Sequence, residues 1–292
     1  MKKLLILSGK GGTGKTTTAA AFIDFSKAQA FADCDVDAPN LHLVGGIKSE
    51  PIRMDYYGSE KAVIHPEKCK GCGICYENCR FDAIIKEGTK FSVNPYACEG
   101  CGVCMYTCPG GAVTMEEDIA GELMLYHEDR VFSTAKLKMG RGTSGKLVTE
   151  VKNQLEKAVD TAKFAIIDGS PGIGCPVIAS ISGVDMVLIV AEPSLSGISD
   201  MERILKTAAI FQTRSAVCVN KFDTCVENTE KIEKLCLQEG IPFLGRIPYD
   251  KQASVAINEG HSLAKVDCPA SDALYQVYEK VKECFAEETG ER

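Results

Sequence analysis

A glycine-rich segment near the start of the chain constrains the fold more than any other feature of the sequence. Residues 9–16 read Gly-Lys-Gly-Gly-Thr-Gly-Lys-Thr and fit the pattern G-x4-G-K-[ST]. In that pattern, backbone N–H groups wrap around phosphate oxygens at the start of a helix. The apolar run Lys3–Leu7 predicts a buried strand before the loop, and Lys15–Lys27 predicts a helix after it. The order strand, loop, helix therefore predicts a phosphate-binding loop, with Lys15 on the β- and γ-phosphates and the Thr16 hydroxyl on Mg²⁺.

Strands and helices alternate along most of the remaining chain. Predicted strands lie at Ala30–Asp33, Lys163–Asp168, Met186–Ala191, Ser215–Asn220 and Pro242–Ile247. Predicted helices lie at Lys146–Thr161, Asp200–Phe211, Asn228–Glu239 and Ser271–Glu287. Alternating βα units with apolar strands predict a mainly parallel sheet with helices on both faces. We therefore expect an α/β P-loop domain formed by residues 1–57 and 119–292.

A second segment, residues 140–146, reads Gly-Arg-Gly-Thr-Ser-Gly-Lys and also fits G-x4-G-K. Leu147 follows the lysine, and an apolar side chain cannot bind Mg²⁺. The sequence shows no clear strand before this segment. We interpret it as a loop that caps the next helix, and a position near the nucleotide stays open.

Eight of the fifteen cysteines lie between Cys69 and Cys108, in two copies of the run C-x2-C-x2-C-x3-C. This spacing is that of bacterial two-cluster ferredoxins, in which the fourth cysteine of each run binds the other cluster. The predicted ligands of one [4Fe–4S] cluster are Cys69, Cys72, Cys75 and Cys108. The predicted ligands of the other are Cys79, Cys98, Cys101 and Cys104. Structural zinc is the alternative, but it commonly uses two C-x2-C pairs, so the duplicated triplets favour iron–sulfur clusters.

We therefore expect a ferredoxin-like domain at residues 58–118, inserted into the α/β domain. Arg80 stands after Cys79, where the second copy has Pro109 after Cys108. Most of the cysteines outside the insert are expected to be small buried apolar residues, which is the usual behaviour of free cysteine.

The phosphate loop with its additional Lys10, together with the cysteine-rich insert, resembles a MinD-superfamily P-loop ATPase that contains an inserted ferredoxin domain. This group is related to the Mrp and nitrogenase iron protein class. The resemblance implies a homodimer across the nucleotide site, in which Lys10 reaches the nucleotide of the partner subunit. It also implies binding of ATP or ADP with Mg²⁺. The implied nucleotide-binding residues are Gly9, Lys10, Gly11, Gly12, Thr13, Gly14, Lys15, Thr16, Thr17, Asn220, Lys221 and Pro248.

Two acidic segments resemble the switches of this family. Residues 33–41 contain Asp33, Asp35 and Asp37 within five positions, and Asp168 ends an apolar strand that precedes Gly169. The resemblance implies Mg²⁺ binding by Thr16, Asp35 and Asp168, and catalytic roles for Lys10, Lys15 and Asp35. We expect Asp35 to position the attacking water, although the choice among the three aspartates of the first switch stays open.

Three hypotheses for the function follow. The first is ATP hydrolysis in a switching dimer that drives electron transfer through two [4Fe–4S] clusters to a redox partner. The second is an ATP-dependent carrier or maturation factor for iron–sulfur or other metal cofactors, with a cofactor-biosynthesis protein as partner. The third, a positioning ATPase like MinD, is less favoured because no basic amphipathic tail is present.

Cys175 lies seven residues after Asp168, as a cluster cysteine does in the nitrogenase iron protein. Lys138, however, stands where that protein has its second cluster cysteine. A cluster shared between two subunits is therefore not expected at Cys175. The chain also lacks the C-x2-C pair near the C-terminus that Mrp-type cluster carriers have.

The charge distribution excludes some classes of partner. The net charge is −7 and no dense block of Lys and Arg occurs, which argues against a nucleic acid or an anionic membrane surface. No run approaches the roughly 20 apolar residues of a membrane span, and no signal peptide is recognised. We expect a cytoplasmic protein.

Overall fold

A computed structural model describes residues 1–47, 49–159 and 161–286. The chain forms two compact units. The first comprises Met1–Arg53, Met124–Ala135 and Gly145–Arg292, and the second comprises Met54–Leu123 and Lys136–Ser144. The second unit therefore extends a few residues beyond both ends of the segment 58–118, and it also includes a separate segment, residues 136–144.

The described residues form short strands and helices throughout. The strands are β1 Lys2–Leu7, β2 Ala30–Asp33, β3 Ile52–Tyr57, β4 Lys61–Ile64, β5 Ile84–Glu87, β6 Lys90–Val93, β7 Val113–Glu116, β8 Ile119–His127, β9 Val131–Leu137, β10 Phe164–Asp168, β11 Met186–Ala191, β12 Arg214–Asn220 and β13 Phe243–Ile247. The helices are α1 Lys15–Ser26, α2 Leu41–Val44, α3 Ile74–Glu77, α4 Val103–Thr107, α5 Ser144–Ala158, α6 Cys175–Ile181, α7 Leu195–Ile210, α8 Val226–Gln238, α9 Lys251–Asn258 and α10 Pro269–Ala286.

Nine strands form one sheet in the order β13-β12-β11-β1-β10-β2-β9-β8-β3. The pairings from β13 through to β9 are parallel. The predicted α/β fold with a mainly parallel sheet is therefore confirmed. Asp168 at the end of β10 is in register with Ile6 of β1 on one side and with Asp33 of β2 on the other. Because the strands are parallel, the phosphate loop and the ends of β2 and β10 lie at the same edge of the sheet.

Some boundaries differ from the prediction for identifiable reasons. Helix α7 begins at Leu195, five residues before the predicted start, because the Ser194 side chain caps it by accepting a hydrogen bond from Gly197 N at 3.1 Å. The expectation that no strand precedes residues 140–146 is wrong, since β9 ends at Leu137. Buried hydroxyl residues such as Ser133 interrupt the apolar residues of β9, so the sequence does not show a continuous apolar run there. The predicted end of the last helix, Glu287, lies outside the described residues.

The second unit contains two small antiparallel sheets, one made of β4 and β7 and the other of β5 and β6. Its core is small and combines apolar residues with cysteines. The buried members are Ala62, Ile64, Cys75, Ala83, Ile84, Phe91, Cys98 and Val113. In neither unit is any described helix long and apolar enough to cross a membrane.

Candidate functional site

The phosphate loop connects β1 to α1 and depends on glycines at two left-handed positions. Gly12 has φ +79° and Gly14 has φ +97°, a conformation that other residues rarely adopt. A Cβ at Gly14 would also lie 2.3 Å from Nδ2 of Asn220, so a side chain at this position would have to displace Asn220. The loop thus brings its backbone to the start of α1 in the way that anion binding requires.

Lys15, Thr16 and Asp168 are hydrogen-bonded to one another. Lys15 Nζ lies 2.6 Å from Asp168 Oδ1, and the Thr16 hydroxyl donates to Asp168 Oδ2 at 2.7 Å. Burial lowers the pKa of the Lys15 ammonium, but the carboxylates of Asp168, Asp33 and Asp35 together more than offset this and leave the pKa above its usual value. Lys15 is therefore held in its charged form beside a fully buried carboxylate.

Asp33 shapes the loop that follows β2. Its Oδ1 accepts from the N–H of Asp35, and its Oδ2 accepts from the N–H groups of Asn40 and Leu41, each at 2.9 Å. Burial and the charge of Asp168 raise the pKa of Asp33 to about 7. Both oxygens of this carboxylate are engaged with the backbone of its own loop, which is a structural role.

The other two aspartates of this loop differ in position. Asp35 is half-buried and lines the same cavity as Lys15 and Thr16, whereas Asp37 is exposed and does not line it. Burial raises the pKa of Asp35, and the charge of Asp168 acts in the same direction. Of the three aspartates, Asp35 is the one whose position fits contact with a magnesium ion or with a water molecule beside the phosphates.

A cavity of about 490 Å³ opens at this edge of the sheet. Most of the predicted nucleotide-binding residues line it: Lys10, Gly11, Gly12, Gly14, Lys15, Thr16, Thr17, Asn220, Lys221 and Pro248. Gly9 and Thr13 are not among its lining residues. A Cβ at Gly9 would come 2.1 Å from Cβ of Asp200, so this glycine permits close packing of the loop on α7.

The sequence did not reveal the apolar end of the cavity. Leu43, Val44, Ala253, Ile257 and Leu274 line it from α2, α9 and α10. Helices α2 and α9 span four and eight residues and were too short to be recognised from hydrophobic periodicity. The start of α9 was nevertheless visible in principle, because Asp250 caps it by accepting from Gln252 N at 2.8 Å.

Asn220 and Lys221 brace the phosphate loop from the end of β12. Asn220 Nδ2 donates to the carbonyl oxygen of Thr13 at 2.7 Å, and Lys221 Nζ donates to that of Gly12 at 3.1 Å. Both side chains also line the cavity. Their place beside the loop is consistent with the predicted contact to the base, and that contact remains a prediction.

Lys10 is paired within its own chain. Its Nζ lies 2.9 Å from Glu192 Oε2 and 3.2 Å from the Ser194 hydroxyl. The side chain is 37% exposed, so it stays accessible from outside. Any reach into a second subunit would require Lys10 to leave Glu192.

Cys175 starts α6 and is exposed. A Cβ at Gly145, in the first turn of α5, would lie 3.2 Å from the carbonyl oxygen of Cys175. The two helices are also joined at the other end of α6, where Lys152 of α5 donates to the carbonyl oxygens of Ala179 and Ser180 at 3.0 and 2.9 Å. Cys175 therefore lies where α5 and α6 pack together.

The eight clustered cysteines line two separate cavities in the second unit. One is lined by Cys69, Cys72, Cys75 and Cys108. The other is lined by Cys79, Cys98, Cys101 and Cys104. In each set the fourth cysteine comes from the other copy of the repeat, which is the exchange that the spacing predicts. Among the described residues, no three His, Cys, Asp or Glu side chains could hold a single metal ion.

The chemistry of each cysteine set fits a cationic iron cluster. Burial raises the pKa of Cys75, and the charges of Cys69, Cys108 and Cys72 raise it further. Burial likewise raises the pKa of Cys104, with added contributions from Cys98 and Cys101. Four thiolates packed this closely repel one another unless positive charge lies between them. Apolar residues such as Ile64 and Phe91 line the first cavity beside the thiols.

Comparisons with known proteins agree with the fold. The family model described as CbiA, the CobQ/CobB/MinD/ParA nucleotide binding domain, matches residues 4–263. An uncharacterized protein of Methanocaldococcus jannaschii, MJ0578, is 32% identical over 96% of both chains. A protein of Pyrococcus horikoshii named iron-sulfur cluster carrier protein is 25% identical, over 96% of this chain and 85% of that protein.

Among solved structures, the septum site-determining protein MinD of Pyrococcus horikoshii, complexed with Mg-ADP, matches with a TM-score of 0.57. It is 18% identical, and the match covers 97% of both chains. At this identity the match supports the fold alone. The family model spans most of the chain and includes the phosphate loop, Asp168 and Asn220. The chain therefore belongs to the CobQ/CobB/MinD/ParA family of nucleotide-binding domains.

Proposed function

We propose that this protein hydrolyses MgATP and couples nucleotide-driven switching of a homodimer to electron transfer through two [4Fe–4S] clusters. The observation that most supports this is the sorting of eight cysteines into two complete sets of four, each around its own cavity, in a chain that also has a P-loop site. A [4Fe–4S] cluster supplies one-electron redox chemistry.

The nucleotide site has the groups that hydrolysis needs. Thr16 and Asp168 would hold Mg²⁺, and Asp35 would orient water or complete the magnesium site. Lys15 would exchange its contact with Asp168 for the β- and γ-phosphates, which its charge favours. Because Lys15 and Thr16 both bond to Asp168, nucleotide binding would alter the contacts of Asp168 and hence the start of the loop 169–174.

In the second unit, the two cysteine sets would each bind one cluster. The Sγ of Cys108 already accepts a hydrogen bond from Ala112 N at 3.3 Å, an interaction that stabilises a thiolate and tunes a bound cluster. Left-handed glycines within both sets, such as Gly71, Gly73, Gly100 and Gly102, let the chain turn tightly around each cavity.

A second candidate function is that of an ATP-dependent carrier or maturation factor for metal cofactors. The relatives from Pyrococcus that are named iron-sulfur cluster carrier proteins favour it. Against donation of the two clusters themselves, four thiolates would have to release each cluster, and three of the four in each set belong to or pack against the small core of the second unit. Help with a cofactor that another protein holds is compatible with the same site.

The deciding experiment is an anaerobic redox titration of both clusters, followed by EPR, without nucleotide, with MgADP and with MgATP. Because coupling between sites is reciprocal, an ATP-dependent potential means that oxidised and reduced protein bind ATP differently. A shift of about 60 mV for a one-electron couple is a tenfold effect and would support ATP-gated electron transfer.

A Lys15→Ala variant is the control for this titration and should show no shift. Unmoved potentials in the wild-type protein, combined with ATP-dependent activation of an acceptor enzyme that lacks its metal cofactor, would favour the second candidate.

A further inference from the structure

Residues 136–144, which the structure groups with the second unit, are anchored there by Arg141. Its guanidinium pairs with Asp118 Oδ1 at 2.9 Å and donates to the carbonyl oxygen of Pro95 at 2.7 Å. It also lies 5.2 Å from the ring centroid of Tyr96. The Arg141 side chain is only 12% exposed, so these contacts fix it. The planar guanidinium of Arg141 has two polar partners and an aromatic ring beside it. These contacts hold its geometry far better than a single ion pair would.

Arg141 contacts one of the two copies of the cysteine repeat. Pro95 and Tyr96 belong to the lead-in Asn94–Ala97, which runs directly into Cys98 of the second cysteine set. The backbone N–H of Cys98 in turn donates to the carbonyl oxygen of Asn94 at 3.1 Å. Arg141 is therefore held against the residues that lead directly into Cys98, the first cysteine of the second copy of the repeat.

The corresponding lead-in of the first copy, residues 65–68, is held differently. His65 Nε2 lies 2.8 Å from the hydroxyl of Thr114 on β7. Its ring also lies 3.7 Å from a carboxylate oxygen of Glu67, in the same lead-in. These contacts come from a strand of the insert and from the lead-in itself, not from residues 136–144.

The segment that contains Arg141 continues into α5, and α5 is fixed to α6. Gly145 packs against Cys175 at the start of α6, and Lys152 donates to carbonyl oxygens at its end. Helix α6 follows the loop 169–174, which begins directly after Asp168. A displacement of that loop by a bound nucleotide would move α6, and with it α5 and the residues covalently joined to its start.

We propose that Arg141 is a positioning residue for the second cysteine set, and that through it the nucleotide site acts selectively on Cys79, Cys98, Cys101 and Cys104. The inference rests on the proposed function, since it needs a nucleotide and bound clusters. It adds that the two sets are unequal: the set with Cys98 responds to nucleotide, whereas the set with Cys69 keeps its properties.

Hydrogen–deuterium exchange of the full-length, iron-loaded protein tests this with MgADP and with a non-hydrolysable MgATP analogue. In the wild-type protein we expect the amides of residues 94–101 to differ between the two nucleotides by about five- to tenfold in exchange rate, and those of residues 65–72 to be unchanged. In Arg141→Gln, the difference at residues 94–101 should be lost while that at residues 169–181 is kept.

Two further variants separate positioning from general damage. Lys138→Gln removes an exposed charge of the same segment and should behave like the wild-type protein. Arg141→Lys keeps a cation beside Asp118. This variant should retain iron and should show part of the nucleotide-dependent difference in exchange at residues 94–101 that Arg141→Gln loses. Iron content and the EPR signal of each variant show whether both clusters are bound.

Equal nucleotide responses in both lead-ins of the wild-type protein would overturn the inference, whatever the variants do. A full response at residues 94–101 in Arg141→Gln would overturn it as well. A response at residues 169–181 without one at residues 94–101 would reject the role of Arg141 and leave the proposed function intact, whereas no response at either would reject both.

Discussion

The chain contains two glycine-rich loops that fit the same pattern, residues 9–15 and residues 140–146, and the structure gives them different surroundings. The first lies between a strand with fully buried residues and a twelve-residue helix, and its lysine is buried against Asp168. The second contains Arg141, which is neutralised by Asp118, and its lysine, Lys146, is exposed. After the first lysine comes a threonine that contacts Asp168, and after the second comes the fully buried Leu147.

In both loops the glycine pattern provides a flexible backbone, and the charges around the loop determine whether it can bind phosphate. Around the loop at residues 9–15, the two buried carboxylates of Asp33 and Asp168 outnumber the one buried lysine, Lys15. This excess of negative charge favours binding of a metal ion. At residues 140–146, Arg141 is paired with Asp118, and the apolar Leu147 stands where the first loop has a Mg²⁺-binding threonine, so this loop connects elements and lacks the groups of a phosphate site.

The largest expected effect comes from removing the two lysines in turn. Lys15→Ala should abolish ATP turnover, a loss of at least about 100-fold, because a phosphate-stabilising cation inside a water-poor site is worth several kcal/mol. Lys146→Ala should leave turnover within about twofold of the wild-type rate, since changes at exposed positions away from a site are usually small.

Steady-state phosphate release at saturating MgATP measures both variants. Equal losses of turnover in the two variants would place the second loop in the nucleotide site and contradict the different roles of the two lysines.

A smaller effect is expected from adding one methyl group to each loop. In Gly14→Ala the new Cβ would lie 2.3 Å from Asn220 Nδ2 at a backbone angle of φ +97°. The chain can relieve this strain of about 1–3 kcal/mol only by moving the loop away from its phosphate-binding shape, so nucleotide affinity should fall about tenfold. In Gly142→Ala the new Cβ would meet its nearest neighbour, Glu99, at 3.8 Å, and affinity should not change.

Titration with a fluorescent ATP analogue measures both dissociation constants. Thermal unfolding of the nucleotide-free proteins shows how much of the strain appears as lost stability. Unchanged affinity in Gly14→Ala would mean that Asn220 yields and does not brace the loop.

The same comparison shows how far the sequence alone could predict the site. Lys15, Thr16 and Asp168 could be found because the phosphate loop and the strand that ends at Asp168 are local patterns. The exchange of Cys79 and Cys108 between the two sets was predictable because the repeat spacing requires it.

The partners of Arg141 and Lys10 could not be predicted, because they depend on contacts between residues that are far apart in the sequence. Arg141 meets Asp118 and Pro95, and Lys10 meets Glu192, only after the chain has folded. The sequence does not separate Asp33 from Asp35 and Asp37 for a related reason: it shows three carboxylates, but only the fold shows that both oxygens of Asp33 bind the backbone of its own loop.

A loss of about tenfold in dimer-dependent ATP turnover is expected when Lys10, a partly buried lysine of the first loop, is removed. Turnover per molecule of the wild-type protein should rise with protein concentration as dimers form. Lys10→Ala should lower this dimer-dependent turnover about tenfold and leave nucleotide binding largely intact, because one charge-assisted contact is lost and the loop itself is unchanged. Lys138→Ala, which removes an exposed lysine elsewhere, is the matched control.

Turnover measured over a range of protein concentrations, with the mass followed by light scattering, checks this prediction. A Lys10→Ala protein that still accelerates with concentration would show that the pairing with Glu192 is the whole role of this lysine.

The smallest effect concerns pH and follows from the excess of buried carboxylates at the first loop. The pKa of Asp33 is raised to about 7 in the folded protein and is near 3.8 in an unfolded chain. The folded state therefore holds this proton more tightly. Its contribution to stability is complete below the unfolded pKa and is lost as the pH rises through about 7.

The nucleotide-free protein should accordingly lose on the order of 1 kcal/mol of unfolding free energy between about pH 5.5 and about pH 8.5 through this one group. In Asp33→Asn this component should vanish, although the protein as a whole is less stable because at least one of the three backbone N–H groups loses its oxygen acceptor. Urea unfolding at several pH values, without Mg²⁺ or nucleotide, measures the slope. The same slope in both proteins would mean that Asp33 is already ionised at neutral pH and that Lys15 balances the buried carboxylates without a metal ion.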